Sequence, residues 1–148
     1  MKTKKQKGYT LLELLVILVI IGTLVYIAIP EYEKLIQRAD VSDALHNMDM
    51  LSGAQNKYRI LKGRYTNDLS SLGIPLKGNT ANISTTNFTY SAGNPREDNY
   101  CIYSESRIAN YTLAKNYKTN SEVLCSGSDC DKISSLVQTG DLIDLCEE

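Results

Sequence analysis

The most demanding residue in this chain is Glu13. It is the one carboxylate in the 21 residues from Tyr9 to Ile29, where only Tyr9, Thr10, Glu13, Thr23 and Tyr26 carry polar groups. Placing an ionised carboxylate among hydrocarbon costs roughly 3 kcal/mol on insertion scales, so such a residue needs a cationic partner or water. Ion pairing is the chemistry it offers, although its place about one turn inside the run also lets it sit at a wet boundary. The second reactive set is Cys101, Cys125, Cys130 and Cys146, all after the apolar run. A zinc site would want paired Cys-x-x-Cys or histidines, and His46 is the single histidine, so disulfides are the expected chemistry and no metal is expected. Asp129, Asp131, Asp141, Asp144, Glu147 and Glu148 make the tail acidic, but without EF-hand spacing they read as a solvated surface. The sequence has no Ser/His/Asp grouping around His46, phosphate-cradling glycine loop, nucleophile elbow or metal-ligand helix motif. It reads as a non-enzyme with no cofactor.

The element that positions Glu13 is a helix. At 1.5 Å per residue, a helix over residues 9–29 covers about 30 Å, the hydrocarbon thickness of a bilayer. Lys2, Lys4, Lys5 and Lys7 precede it with no acid among the first eight residues. Positive charge stays cytoplasmic, which predicts one membrane pass with the amino terminus inside and the rest outside. No small-residue cleavage site follows Ile29, as a secretory signal would require; Pro30-Glu31-Tyr32-Glu33-Lys34 follows instead. Pro30 lacks an amide hydrogen and Gly22 lowers helix propensity, so a bend or a melted section is expected between them.

Beyond Pro30, Tyr32, Leu35, Ala39, Leu45, Met48, Leu51, Ala54, Tyr58 and Leu61 recur at helical spacing, with charged residues between them. That pattern predicts an amphipathic helix over 31–62, ended by Gly63 and resting on a C-terminal sheet. Thr66 or Asn67 is expected to cap a short turn ended by Gly73 and Pro75, and residues 77–86 read as a polar loop. Thr86–Tyr90 and Tyr111–Tyr117 alternate as strands, Tyr100–Tyr103 reads as a buried one, and Arg107 lies in a hairpin connection. The fold class is α+β: a long helix packed on a small antiparallel sheet. Ten tyrosines need no function beyond strand propensity and packing.

Taken together, the basic leader ending in Gly8, the aromatic Tyr9, Glu13 four residues on, the further apolar residues and Pro30 resemble the type IV pilins and their type II secretion pseudopilin relatives. The resemblance covers residues 1–75; where Tyr9 stands the family more often has Phe. It implies the pilin lollipop, divided into a leader (1–8), a transmembrane and assembly helix (9–30), an amphipathic helix (31–62) and a globular region with disulfides (63–148). It further implies that a prepilin peptidase cuts between Gly8 and Tyr9 and that the new Tyr9 amino group is methylated. Glu13 would meet the amino terminus of an adjacent subunit, and the subunit would leave the inner membrane for a helical homo-oligomer through an assembly platform and its ATPase. Three pairings of the cysteines are open. The resemblance favours Cys101 with Cys125 and Cys130 with Cys146, which would close the tail as in the family; the set Cys125–Cys130 and Cys101–Cys146 stays beside it.

Charge fits an assembling subunit better than a nucleic-acid binder. The chain has 16 Lys+Arg against 17 Asp+Glu, and removing the four leader lysines leaves 12 against 17, a net of −5. Bulk nucleic-acid binding is therefore not supported. The readings carried forward are a type IV pilus subunit for adhesion, twitching motility or DNA uptake, a pseudopilin of a short periplasmic fibre, and a plain membrane anchor with an external domain. The last predicts an uncleaved leader.

Overall fold

A computed structural model describes residues 9–74, 77–78, 82–93, 99–117 and 122–142. It comprises two units, Met1–Ile36 and Gln37–Glu148. Helix α1, Leu11–Lys62, contributes to both.

In the first unit α1 is apolar on all sides: Leu11, Leu18 and Ile27 stand out at 85%, 61% and 67% exposure. No part of its membrane-length apolar window is buried. The backbone stays helical through Gly22 and Pro30. Pro30 has no N–H to give the carbonyl of Tyr26, and Thr23 Oγ1 bonds back to the Ile20 carbonyl at 2.8 Å, a contact that competes for that acceptor.

In the second unit α1 buries Val41, Ala44, Met48, Leu51, Ser52 and Gln55, residues spaced by threes and fours along one face. The expected stripe is thereby corrected. Met48 and Leu51 belong to the core, but Leu35 and Leu61 are 59% and 69% exposed, because the stripe as read mixed two helix faces. The helix ends at Lys62, and Gly63 takes the left-handed φ of 78° as expected. The turn after it is held by Gln55, whose amide accepts from Thr66 N at 3.1 Å and donates to Thr66 O at 2.5 Å. A short 3-10 turn, Leu69–Leu72, follows. Its cap is Asp68, not Thr66 or Asn67, and Gly73 closes it; Pro75 lies outside the described residues.

Among the described residues seven strands form one sheet in chain order: β1 (Lys77–Gly78), β2 (Asn82–Ser84), β3 (Phe88–Gly93), β4 (Cys101–Ser106), β5 (Thr112–Asn116), β6 (Leu124–Ser126) and β7 (Gln138–Thr139). All neighbours are antiparallel except β6 and β7, which are parallel. The α+β class and the three central strands are as the sequence pattern predicts, whereas β1 and β2 replace part of the loop expected over 77–86. Strand register lines up Tyr90, Ser104, Leu113 and Cys125 across β3 to β6. All four are buried, and Tyr90, Leu113 and Cys125 belong to the core that Val41, Met48 and Leu51 share. The connection around Arg107 is the predicted hairpin, closed by Ser106 N to Tyr111 O at 3.1 Å.

Two further features tie this unit. Gly127 takes φ 137° beside the β4–β5 connection, where a Cβ would lie 2.2 Å from the Asn110 carbonyl oxygen. Asp129 accepts from Asn110 N at 2.8 Å and pairs with Lys132 at 2.8 Å, and these bonds hold its carboxyl below its ordinary value. On the helix side, Tyr65 meets Tyr100 at a tilt of 49° with centroids 4.3 Å apart, and Tyr100 stacks on Tyr117 at 5.1 Å. Tyr100 shares a 2.7 Å hydrogen bond with Ser52, and Tyr117 donates to Asp49 at 3.2 Å. Burial pushes the Tyr100 phenol up to about 12; burial first, and then the Asp49 carboxylate, raise Tyr117.

Candidate assembly site

Glu13 occupies the third position of α1, and Thr10 immediately precedes the helix. Thr10 Oγ1 accepts from Glu13 N at 3.2 Å, while Glu13 Oε2 accepts from Thr10 N at 2.9 Å and from Thr10 Oγ1 at 3.1 Å. This is a capping box: two of the backbone donors that a helix start leaves unsatisfied are closed reciprocally. A carboxylate in the first turn also meets the positive end of the helix dipole. The box uses Oε2 alone, so Oε1 carries no bond among the described residues. Glu13 is thus oriented by its own helix and can still receive a cation.

Thr10 carries no functional signal of its own in the sequence, although its spacing to Glu13 is the Thr-x-x-Glu signature that marks a helix start. The apolar run after it masks the polar pair. Tyr9 stands just before the helix and is 83% exposed; Gly8, on the other side of the expected cut, lies outside the described residues. Leu11, Leu12, Leu14 and Leu15 surround Glu13, all more than half exposed. A charge set in an uncovered apolar surface can pair strongly once other apolar surface covers it, because the local dielectric falls.

The cysteines correct the favoured pairing. Cys125 is bonded to Cys130, with Cα atoms 5.9 Å apart. This is the pairing carried as the alternative, and it excludes both Cys101–Cys125 and Cys130–Cys146. The reason is local: the turn after β6, with Gly127 in a positive-φ conformation, returns the chain within five residues and sets both side chains in the core. Cys101 is disulfide-bonded as well. Cys146 lies outside the described residues. Among the described residues no group of three or more His, Cys, Asp or Glu side chains is arranged to hold a metal.

Comparison with known proteins places the resemblance at the same end of the chain. Residues 3–29 match the model of the prokaryotic N-terminal methylation motif. The fimbrial protein EcpC of Eikenella corrodens is 38% identical over 69 residues, covering 47% of this chain and 45% of that protein. The type IV major pilin protein PilA of Myxococcus xanthus is 37% identical over 76 residues, 51% of this chain and 34% of that protein. A fimbrial protein of Moraxella nonliquefaciens reaches 50% identity over 46 residues, 31% of this chain and 30% of that protein. The chain thus spans less than half the length of these relatives. They are pilins and fimbrial proteins, not enzymes, in agreement with the non-catalytic reading. No solved structure gives a significant match.

Proposed function

We propose that this chain, which carries the prokaryotic N-terminal methylation motif and is similar over about half its length to a fimbrial protein and a type IV major pilin, is a structural subunit that polymerises through its first helix into a type IV pilus. The observation that carries this reading is Glu13: a capped carboxylate with one oxygen open, in the first turn of an apolar helix that nothing covers. Water is a poor solvent for that surface, since each Leu, Ile or Val left exposed forgoes about 1.5–3 kcal/mol of burial. A bilayer before assembly and a bundle of identical helices after it both satisfy the surface.

The expected sequence of events starts in the inner membrane, with the lysine-rich leader on the cytoplasmic side. Prepilin peptidase cuts between Gly8 and Tyr9 and methylates the new amino group. That ammonium, one residue before the capping box, meets Glu13 Oε1 of an adjacent subunit as the platform and ATPase drive the helix out of lipid. Pairing cancels both charges; desolvation takes back much of the Coulomb gain, so the pair acts as a register device more than as a large stabiliser. Gly22 and Pro30 are the weak points at which the helix would open in the stretched fibre. The fibre would serve adhesion, twitching motility or DNA uptake.

Electron microscopy of cells with and without the gene tests the proposal. Thin surface fibres present only with the gene are expected. Equal fibres in both strains, with the protein confined to the membrane fraction, would contradict it.

A further inference from the structure

The carboxyl end of α1 carries charge and apolar surface that the fold does not use. Asp49 and Asp68 bracket the 18 residues 50–67, which contain no acid and four cations, Lys57, Arg59, Lys62 and Arg64. Both bracketing acids are engaged: Asp49 accepts from Lys115 and Tyr117, and Asp68 from Ser70. Arg59 lies over the Tyr65 ring and donates to its hydroxyl at 3.1 Å. Lys57, Lys62 and Arg64 are exposed and make no ion pair among the described residues. Arg38 is exposed as well, but it stands among Glu31, Glu33, Asp40 and Asp43. Between the free cations lie Ile60 and Leu61, 84% and 69% exposed, the two most exposed large apolar side chains described in the second unit. At 100° per residue, Lys57, Ile60 and Leu61 point away from Gln55, which is buried. Cations in a last turn complement the helix dipole, and that accounts for Arg59 and Lys62. It does not account for two neighbouring aliphatic side chains held in water.

We infer that this end of α1 docks on the surface of an anionic phospholipid bilayer. The inference rests on the membrane stage of the function proposed above, before the first helix leaves lipid. An acidic peptide or a nucleic acid would answer the cations and leave Ile60 and Leu61 wet, whereas an acidic bilayer presents phosphate outside and hydrocarbon just beneath it. That two-layer chemistry matches the patch: ammonium and guanidinium heads stay with the phosphates while the aliphatic pair enters the acyl boundary. The patch does not continue the apolar surface of the first unit, because Asp43, His46 and Asp49 are exposed on the helix between Ile36 and Met50. With the first helix in the bilayer, lipid is at high effective concentration, and a weak contact suffices. Pro30 and Leu61 are 31 positions apart, about 46 Å along a helix. Docking therefore requires the helix to lean, and Pro30, which lacks an N–H, is where it gives. The contact would hold the second unit against the membrane until assembly lifts it away.

The chain contains no Trp, so Ile60→Trp sets a single fluorescent reporter in the patch. The full chain is reconstituted into vesicles of phosphatidylcholine alone or of phosphatidylcholine with phosphatidylglycerol, each carrying brominated acyl chains as quencher. Blue-shifted, quenched emission is expected in the acidic vesicles only. It should be lost at high salt and in a Lys57→Gln/Lys62→Gln/Arg64→Gln background, whose residues are all exposed. Emission at the wavelength of Trp in water in both kinds of vesicle, from chain that floats with them, would overturn the inference and leave the pilus reading standing. So would a shift that follows the ratio of chain to lipid and not the lipid charge, because a second copy would then cover the patch. A chain that enters neither kind of vesicle would overturn the inference and the membrane stage together.

Discussion

Residues 11–36 and 37–62 belong to one helix, yet only the second stretch is finished by its own chain. From Val41 to Gln55 one face is buried and satisfied: Leu51 and Met48 pack on the sheet, Ser52 bonds Tyr100 and Gln55 bonds Thr66. From Leu11 to Ile29 every side chain is exposed, and among the described residues the charge at Glu13 is answered only by its own helix start. The contrast is one of completeness: the second unit carries its own core, and the first carries an apolar surface that its own chain leaves uncovered among the described residues.

The sharpest way to break this comparison is Glu13→Val. If the first unit is an assembly surface, the variant stays in the membrane fraction and surface fibres are lost; normal fibres would show that the carboxylate matters no more than its neighbours. Next in size is a change confined to the second unit. Gly127→Ala demands both a positive φ from an L residue and room where the Asn110 carbonyl stands. It should destabilise by at least about 2 kcal/mol, read as a lower thermal midpoint of the detergent-solubilised protein. An unchanged midpoint would mean that the loop is not held as described.

Alkali should also act on the second unit alone. Folding holds Tyr100 and Tyr117 as neutral phenols, so their contribution is intact below pH 10, the ordinary phenol value. It drains away as pH rises, through about 12 for Tyr100. Ultraviolet titration of tyrosinate should therefore show late-titrating phenols whose ionisation coincides with loss of the fold, and a Tyr100→Phe variant should lose one of them. Early titration of every tyrosine would contradict the buried stack. The smallest expected effect is that of Thr10→Val. Loss of the cap costs about 1 kcal/mol of helix stability, while Glu13 remains able to meet a neighbour. Fibres should form in reduced number; a defect as complete as that of Glu13→Val would mean that capping, and not pairing, is what Glu13 does.

The sequence pattern foretold long and repetitive elements and missed short ones. The helix end at Lys62, the Gly63 cap and strands β3 to β5 follow from apolar spacing and turn residues. Strands β1, β2, β6 and β7 hold two or three residues each, too few to show alternation, and exist because neighbouring strands template them. The Asp68 cap competed with two equally good cap residues just before it. The disulfide depended on a tight turn that cysteine spacing alone does not reveal. Glu13 was conspicuous as a charge among apolar residues, whereas Thr10 gains its role only from the geometry of a helix start. The hydrogen bond from Asn87 to Asp40 joins residues 47 positions apart and lies beyond any local pattern.

The most direct measurement is the mass of the amino-terminal peptide of the protein recovered from sheared fibres. The account predicts a chain that begins at Tyr9, one methyl group heavier on its amino nitrogen. Recovery of the polypeptide with Met1 to Gly8 still attached, and only as dispersed monomer, would contradict it.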